Sequence, residues 1–152
     1  IQGLHIRLDC MTKRKFRWLS SVGKLEGCKA EGWTHIVGPV RPQILLVEGF
    51  MKADIIHYLT GQTVVAVPGV NTLVHLEELL QTLKNLGVEK IMTVFDMDFL
   101  AKPSVQSGYR ELTNTIEKIG IRYGTYLWEP FYNGLDDYVW EFLIRPLQEV
   151  TL

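Results

Sequence analysis

From residue 44 onward, short apolar runs alternate with stretches of helical periodicity, and this alternation leaves few folds open. "ILLVEG" at 44–49 is apolar on both faces, as a parallel strand buried between two layers must be. "MKADIIHYLTG" follows, with Ile55, Ile56 and Leu59 at helical spacing and Gly61 as its stop. "TVVAVPG" is a second apolar run. "TLVHLEELLQTLKNLG" then puts Leu76, Leu79, Leu80, Leu83 and Leu86 on one face, with Gly87 as the C-terminal cap. "KIMTVFDMD" is a third strand, and "SVQSGYRELTNTIEKIG" a third helix, capped by Ser104 and ended by Gly120. "IRYGTYLW" is a fourth strand and "LDDYVWEFLI" a short closing helix. Strand–helix alternation with short loops predicts an α/β fold: a parallel sheet of about four strands, helices on both faces, and right-handed crossovers.

Residues 1–43 read differently. "GLHIRLD" alternates Leu4, Ile6 and Leu8 with polar neighbours, the pattern of a half-buried strand. "KRKFRWLSS" is its expected partner, and "WTHIV" a third strand of the same part. Gly23, Gly27, Gly32 and Gly38 break the stretch. The expected division is a small β-rich extension over 1–43 and an α/β domain over 44–152. The chain starts at Ile1 rather than Met, so it is expected to be a segment of a longer protein.

Composition excludes several function classes. The formal net charge of −1 argues against a general polyanion binder, since such domains are strongly basic. It leaves nucleic acid open, because carboxylates gathered around a metal would mask local basic patches. No apolar stretch approaches the roughly 18 residues of a membrane span, and no basic-then-apolar leader is present. Cys10 and Cys28 have neither metal-ligand spacing nor a disulfide framework. A cytoplasmic protein without membrane partners is the expectation.

The acids carry the functional reading. Ligands of parallel sheets bind outside the carboxyl ends of the strands. Glu48 ends the first of these strands, and Asp96 and Asp98 end the third. In an extended segment, residues i and i+2 share a face with Cα atoms roughly 6–7 Å apart. Two carboxylates so placed repel each other unless a cation lies between them. Oxygen-only ligands favour Mg²⁺ or Mn²⁺ over zinc. Glu48 would join the metal or act as general acid or base. Asp136 and Asp137, after the fourth strand, are accessory acids that could approach the same edge. Taken singly, the aspartate pair also fits a surface turn, and Glu48 also fits a helix N-terminal charge. The conjunction of three acids on one edge, each following an apolar strand, favours the metal site.

Basic residues are weighed in the same way. "TKRKFRW" sets Lys13, Arg14, Lys15 and Arg17 around Phe16 and Trp18. That interleaving suits phosphate contacts and base stacking. It equally suits a solvated hairpin whose aromatics face the core. His5, His35, His57 and His75 are scattered without ligand spacing.

"LLVEGFMKADII…TVVAVPGV…IMTVFDMD" resembles the Toprim domain shared by bacterial DNA primases, type IA and type II topoisomerases and some nucleases. That family carries a glutamate after its first strand and an Asp-x-Asp after a later one, which Glu48, Asp96 and Asp98 match. "VEGFM" is similar to the primase version, and "GLDDYV" to the acidic segment after the last core strand of primase-like members. The resemblance covers residues 44 to about 143. The front part is similar to the region preceding Toprim in plasmid, phage and mobile-element replication proteins.

The resemblance implies Mg²⁺- or Mn²⁺-dependent phosphodiester chemistry on nucleic acid. Primase-like nucleotidyl transfer leads. A Toprim-type nuclease and a non-catalytic module binding DNA or a metal–nucleotide are the alternatives. Implied partners are DNA or RNA, nucleotides and other domains of the parent chain, a helicase among them. Two departures bear on primase activity. Primases place an aspartate where this chain has Lys52, and a glycine-containing segment where it has Phe99 to Pro103. Lys52 and Lys102 add cations beside the acids, as phosphate contacts or as solvated side chains.

Overall fold

The computed structural model describes residues 4–7, 16–19, 21–25, 27, 32–70 and 73–144. The chain divides into two compact units, Ile1–Trp33 and Thr34–Leu152. In the first unit, β1 (Leu4–Arg7) and β2 (Phe16–Leu19) pair antiparallel, with Leu4 opposite Leu19 and Arg7 opposite Phe16. The two front strands thus pair as expected. Lys13, Arg14, Lys15, Cys10 and Cys28 lie outside the described residues, and Arg17 is placed by its backbone alone, opposite Ile6.

The second unit holds β3 (His35–Val37), β4 (Gln43–Glu48), α1 (Phe50–Thr60), β5 (Val64–Val67), α2 (Leu76–Asn85) and β6 (Lys90–Thr93). After them come α3 (Pro103–Ile119), β7 (Arg122–Thr125) and α4 (Leu135–Val139), which runs into a π-helical turn, Trp140–Ile144. The sheet order is β3-β5-β4-β6-β7. Strands β4 to β7 are parallel, and β3 lies antiparallel on β5. This is the expected α/β arrangement with one strand added.

That added strand corrects the sequence reading of "WTHIV". His35 pairs with Ala66 and Val37 with Val64, so β3 belongs to the main sheet and not to the front hairpin. The two units accordingly divide at 33/34, ten residues before the expected 43/44. The pairing is long-range, and the turn residues Gly38, Pro39 and Pro42 masked it in sequence. Its physical role is to cover the edge of β5, whose unpaired amides would otherwise invite another chain.

Alternation along the strands fills both faces. Ile44, Leu46, Val65, Val67 and Ile91 pack with Leu76, Leu80 and Leu83 of α2 and with Leu112 and Ile116 of α3. Leu45, Val47, Val64, Ala66 and Met92 pack with Ala53 and Ile56 of α1 and with Trp128. The predicted stripes are slightly too wide. Leu86 is 61% exposed because α2 has ended by then, and Ile55 is 40% exposed on the outer side of α1. Among the described residues, no helix is long and apolar enough to cross a membrane.

Two further corrections concern the segment after β6. The ladder ends at Thr93, and Met97–Leu100 form a 3₁₀ turn, so Asp98 is not on an extended strand. Helix α3 then starts with Pro103 in its first turn and Lys102 at the cap position, so Ser104 does not cap it. Proline suits that position because its missing N–H would have had no helical partner there.

Candidate functional site

Strand order decides where a site can form. β4 and β6 are neighbours, with Leu46 opposite Thr93. The chain leaves β4 into α1 on one face and leaves β6 into α3 on the other. Connections that diverge between adjacent parallel strands open a crevice at their carboxyl ends, where ligands of α/β sheets bind. Glu48 is the last residue of β4, and Asp96 follows β6, so both acids sit at that crevice.

Local structure fixes each side chain. Gly49 holds φ at +95°, a left-handed conformation that glycine adopts without a Cβ clash, and it turns the chain from β4 into α1. Its N–H donates to the Val67 carbonyl at 2.9 Å. Lys52 therefore lies in the first turn of α1, and its ammonium donates to Asp96 Oδ1. Asn133 Nδ2 donates to the other oxygen of Asp96 at 2.8 Å. The Asn133 carbonyl accepts from the Met97 N–H at 3.0 Å, which ties the loop after β7 to the segment bearing the acids. Asp98 Oδ2 accepts from Lys102, four residues on.

The carboxylates affect one another. Burial pushes the Glu48 carboxyl above its usual range, and the charges of Asp96 and Asp98 push the same way. Lys52 and a hydrogen bond from the Val70 amide oppose the rise. Asp136 is also raised, first by burial; Lys52 lowers it, and Asp137 and Asp96 raise it. Asp136 Oδ1 is buried without a hydrogen-bond partner. Gly134 makes room for it: a Cβ there would run into that carboxylate and stand 3.3 Å from Lys52 Nζ. Hydrogen bonding to Asp98 raises Lys102.

The structure thus gathers Glu48, Asp96, Asp98, Lys52, Lys102 and Asp136 into one electrostatic cluster. Asp137 stays exposed beside it. Asn133 and Val70 were not singled out in the sequence. Two of the histidines are engaged elsewhere: His57 Nδ1 donates to the Gln62 carbonyl at 2.6 Å, and His35 pairs with Asp54 at 2.8 Å.

The donor set at the crevice is oxygen-only, which suits a hard divalent ion. Among the described residues, no three metal-ligating side chains form a ready-made cage. Mg²⁺ characteristically takes one or two carboxylates and completes its shell with water and phosphate; Asp96 and Asp98 are the carboxylates that would hold one, and each is paired with a lysine.

A family model described as a domain of unknown function, DUF3854, matches residues 33–142. The chain belongs to the DUF3854 family. The match begins at the boundary of the second unit and takes in every residue of the cluster. Among solved structures, the DUF3854 chain is similar to the crystal structure of the primase fragment of the bacteriophage T7 primase-helicase protein. The TM-score is 0.47 and the identity 12%, over 72% of this chain and 44% of that one. The chain thus spans less than half of that fragment. No curated protein matches the sequence.

Proposed function

We propose that this domain handles phosphodiester chemistry on nucleic acid with a divalent cation, Mg²⁺ or Mn²⁺, held by Asp96 and Asp98. One observation supports the reading: Glu48 ends β4, Asp96 and Asp98 follow its neighbour β6, both aspartates raise Glu48, and Lys52 and Lys102 pair with Asp96 and Asp98. The metal would neutralise phosphate charge and align the attacking and leaving oxygens. Glu48 would act as third ligand or as a proton carrier, a role that suits a carboxyl pushed up by burial. Lys52 and Lys102 would bind phosphate oxygens by charge-assisted hydrogen bonds. Asp136 would add negative charge behind Lys52. Primase-like nucleotidyl transfer in replication of a mobile element leads within this reading, and hydrolytic strand cleavage is second. DNA or RNA, nucleotides and further domains of a parent chain are the partners it calls for, in the cytoplasm. Lys13, Arg14, Lys15 and Arg17 of the front unit are proposed as nucleic-acid contacts on their own account, from their basic and aromatic sequence pattern.

A second reading is a binding module that positions DNA or a metal–nucleotide without turnover. The pairing of Lys52 with Asp96 favours it, because a carboxylate already neutralised has less call for a metal. Nucleotide incorporation on a primed single-stranded template, and cleavage of an end-labelled strand, separate the two. Mn²⁺-dependent turnover of either kind, lost in Asp96→Ala/Asp98→Ala, is the expected result. Binding of DNA or of a metal–nucleotide without turnover would establish the module instead.

A further inference from the structure

Lys52 and Lys102 reach the acidic crevice from different elements, one from the first turn of α1 and one from the residue before α3. Each ends on one member of the aspartate pair: Lys52 on Asp96 Oδ1, Lys102 on Asp98 Oδ2. Those are oxygens that a divalent ion would need. In this arrangement the cation charge beside the aspartates is supplied by the chain itself. A bare divalent ion arriving there meets two ammonium groups, and like charges at such separations repel strongly wherever water is partly excluded.

The lysines are poorly suited to being permanent fixtures. Lys102 is 60% exposed and its pair with Asp98 spans a single helical turn. Pairs of that kind contribute little net stability and are readily given up. Lys52 is 29% exposed, so it too has a path to solvent. A lysine ammonium is a compact charge with three donors on a flexible stem. It can leave one anionic oxygen for another without remodelling the backbone. A phosphate offers such oxygens. Asp96 stays oriented by Asn133 when Lys52 leaves, so the carboxylate released is already aimed.

We propose that Lys52 and Lys102 are exchangeable counter-ions, which neutralise Asp96 and Asp98 until a nucleic-acid phosphate draws the ammonium groups away and a divalent cation takes their place. Metal and phosphate then bind together and not in turn. The inference rests on the metal reading above and deepens it: the ligand of the site is a metal–phosphate pair, not a bare ion.

The test measures Mn²⁺ affinity by electron paramagnetic resonance of free Mn²⁺, with and without a short oligo-dT, corrected for the oligonucleotide alone. In the wild-type chain, oligo-dT should tighten Mn²⁺ roughly tenfold, within the range usual for coupled sites. Fluorescence anisotropy of labelled oligo-dT should show the same factor from Mn²⁺, because linkage is reciprocal. Lys52→Met and Lys102→Met should each tighten Mn²⁺ in the absence of oligo-dT and shrink the coupling, while Lys52→Arg keeps it. Lys102→Met, at an exposed position, guards against a folding defect in the Lys52 variants. If both methionine variants bind bare Mn²⁺ as the wild type does and keep its coupling, the inference is overturned and the lysines are ordinary surface pairs. The metal reading has its own control in the same titration. Mn²⁺ binding that survives Asp96→Ala/Asp98→Ala with oligo-dT present, or no binding by the wild type, overturns both.

Discussion

Glu48 shows how much a single residue's position can disclose. Its place after Leu45, Leu46 and Val47 marked it in sequence, because an acid ending a buried strand has few structural reasons to be there. Burial and the neighbouring aspartates raise its folded pKa above the unfolded value, so its charged form opposes folding. Glu48→Gln should therefore stabilise the domain in EDTA. The gain should be full at pH values above the folded pKa and should vanish as the pH falls below the ordinary glutamate range. Thermal melts of both chains across that range check it; an equal gain at all pH values would point to packing instead. Asp96 and Asp98 stood out by an expected strand end, but β6 stops at Thr93 and Asp98 lies in the 3₁₀ turn. Asn133 was not, because it meets Asp96 across 37 residues of sequence and stands in a loop with no periodicity to flag it. Val70 was invisible because its contribution is a backbone N–H, which no side-chain pattern announces.

At the scale of elements, apolar periodicity located the four parallel strands and the helices between them, and it failed where a contact was distant or a turn was local. β3 escaped its proper sheet because three residues carry too little pattern to show a partner thirty residues away. Its turn is a sensitive point. Gly38 holds φ at +89°, and a Cβ there would come 2.7 Å from the His57 ring. Gly38→Ala should cost about 1–3 kcal/mol from backbone strain alone, read as a lower denaturation midpoint with an unchanged slope. The ends of β6 and β7 are joined to α3 by hydroxyls: Thr93 Oγ1 lies 2.6 Å from Tyr109 Oη and 3.0 Å from Thr125 Oγ1. Tyr109→Phe removes one member and leaves the two threonines bonded to each other. A loss of about 1 kcal/mol is expected by the same measurement. Stability equal to the wild type would mean that the network is replaced by water.

For the whole molecule, the unit Thr34–Leu152 carries its own two-faced core and is expected to fold without the front hairpin. A chain beginning at Thr34 should unfold in one cooperative transition. A chain beginning at Ile44 lacks β3, bares the edge of β5 and should aggregate, since an exposed apolar edge strand templates pairing. Size-exclusion chromatography with calorimetry on the two truncations distinguishes them, and equal behaviour would return the boundary to 43/44. The sequence shows the larger body plainly because its strands are buried on both sides and therefore apolar throughout. It shows the boundary poorly because an edge strand is half exposed and reads like its surroundings.

The early end of β6 matters beyond the correction it forced. Between Thr93 and Asp98 the chain passes from ladder to 3₁₀ turn, so Asp96 and Asp98 hang from the sheet and are not part of its pleat. The spacing of the two carboxylates can change while every rung of the ladder stays made. Under the metal reading, substitutions between Phe99 and Pro103 would thus alter the spacing of the pair and leave the sheet as it is, as the jaws of a tool are changed on an unaltered handle.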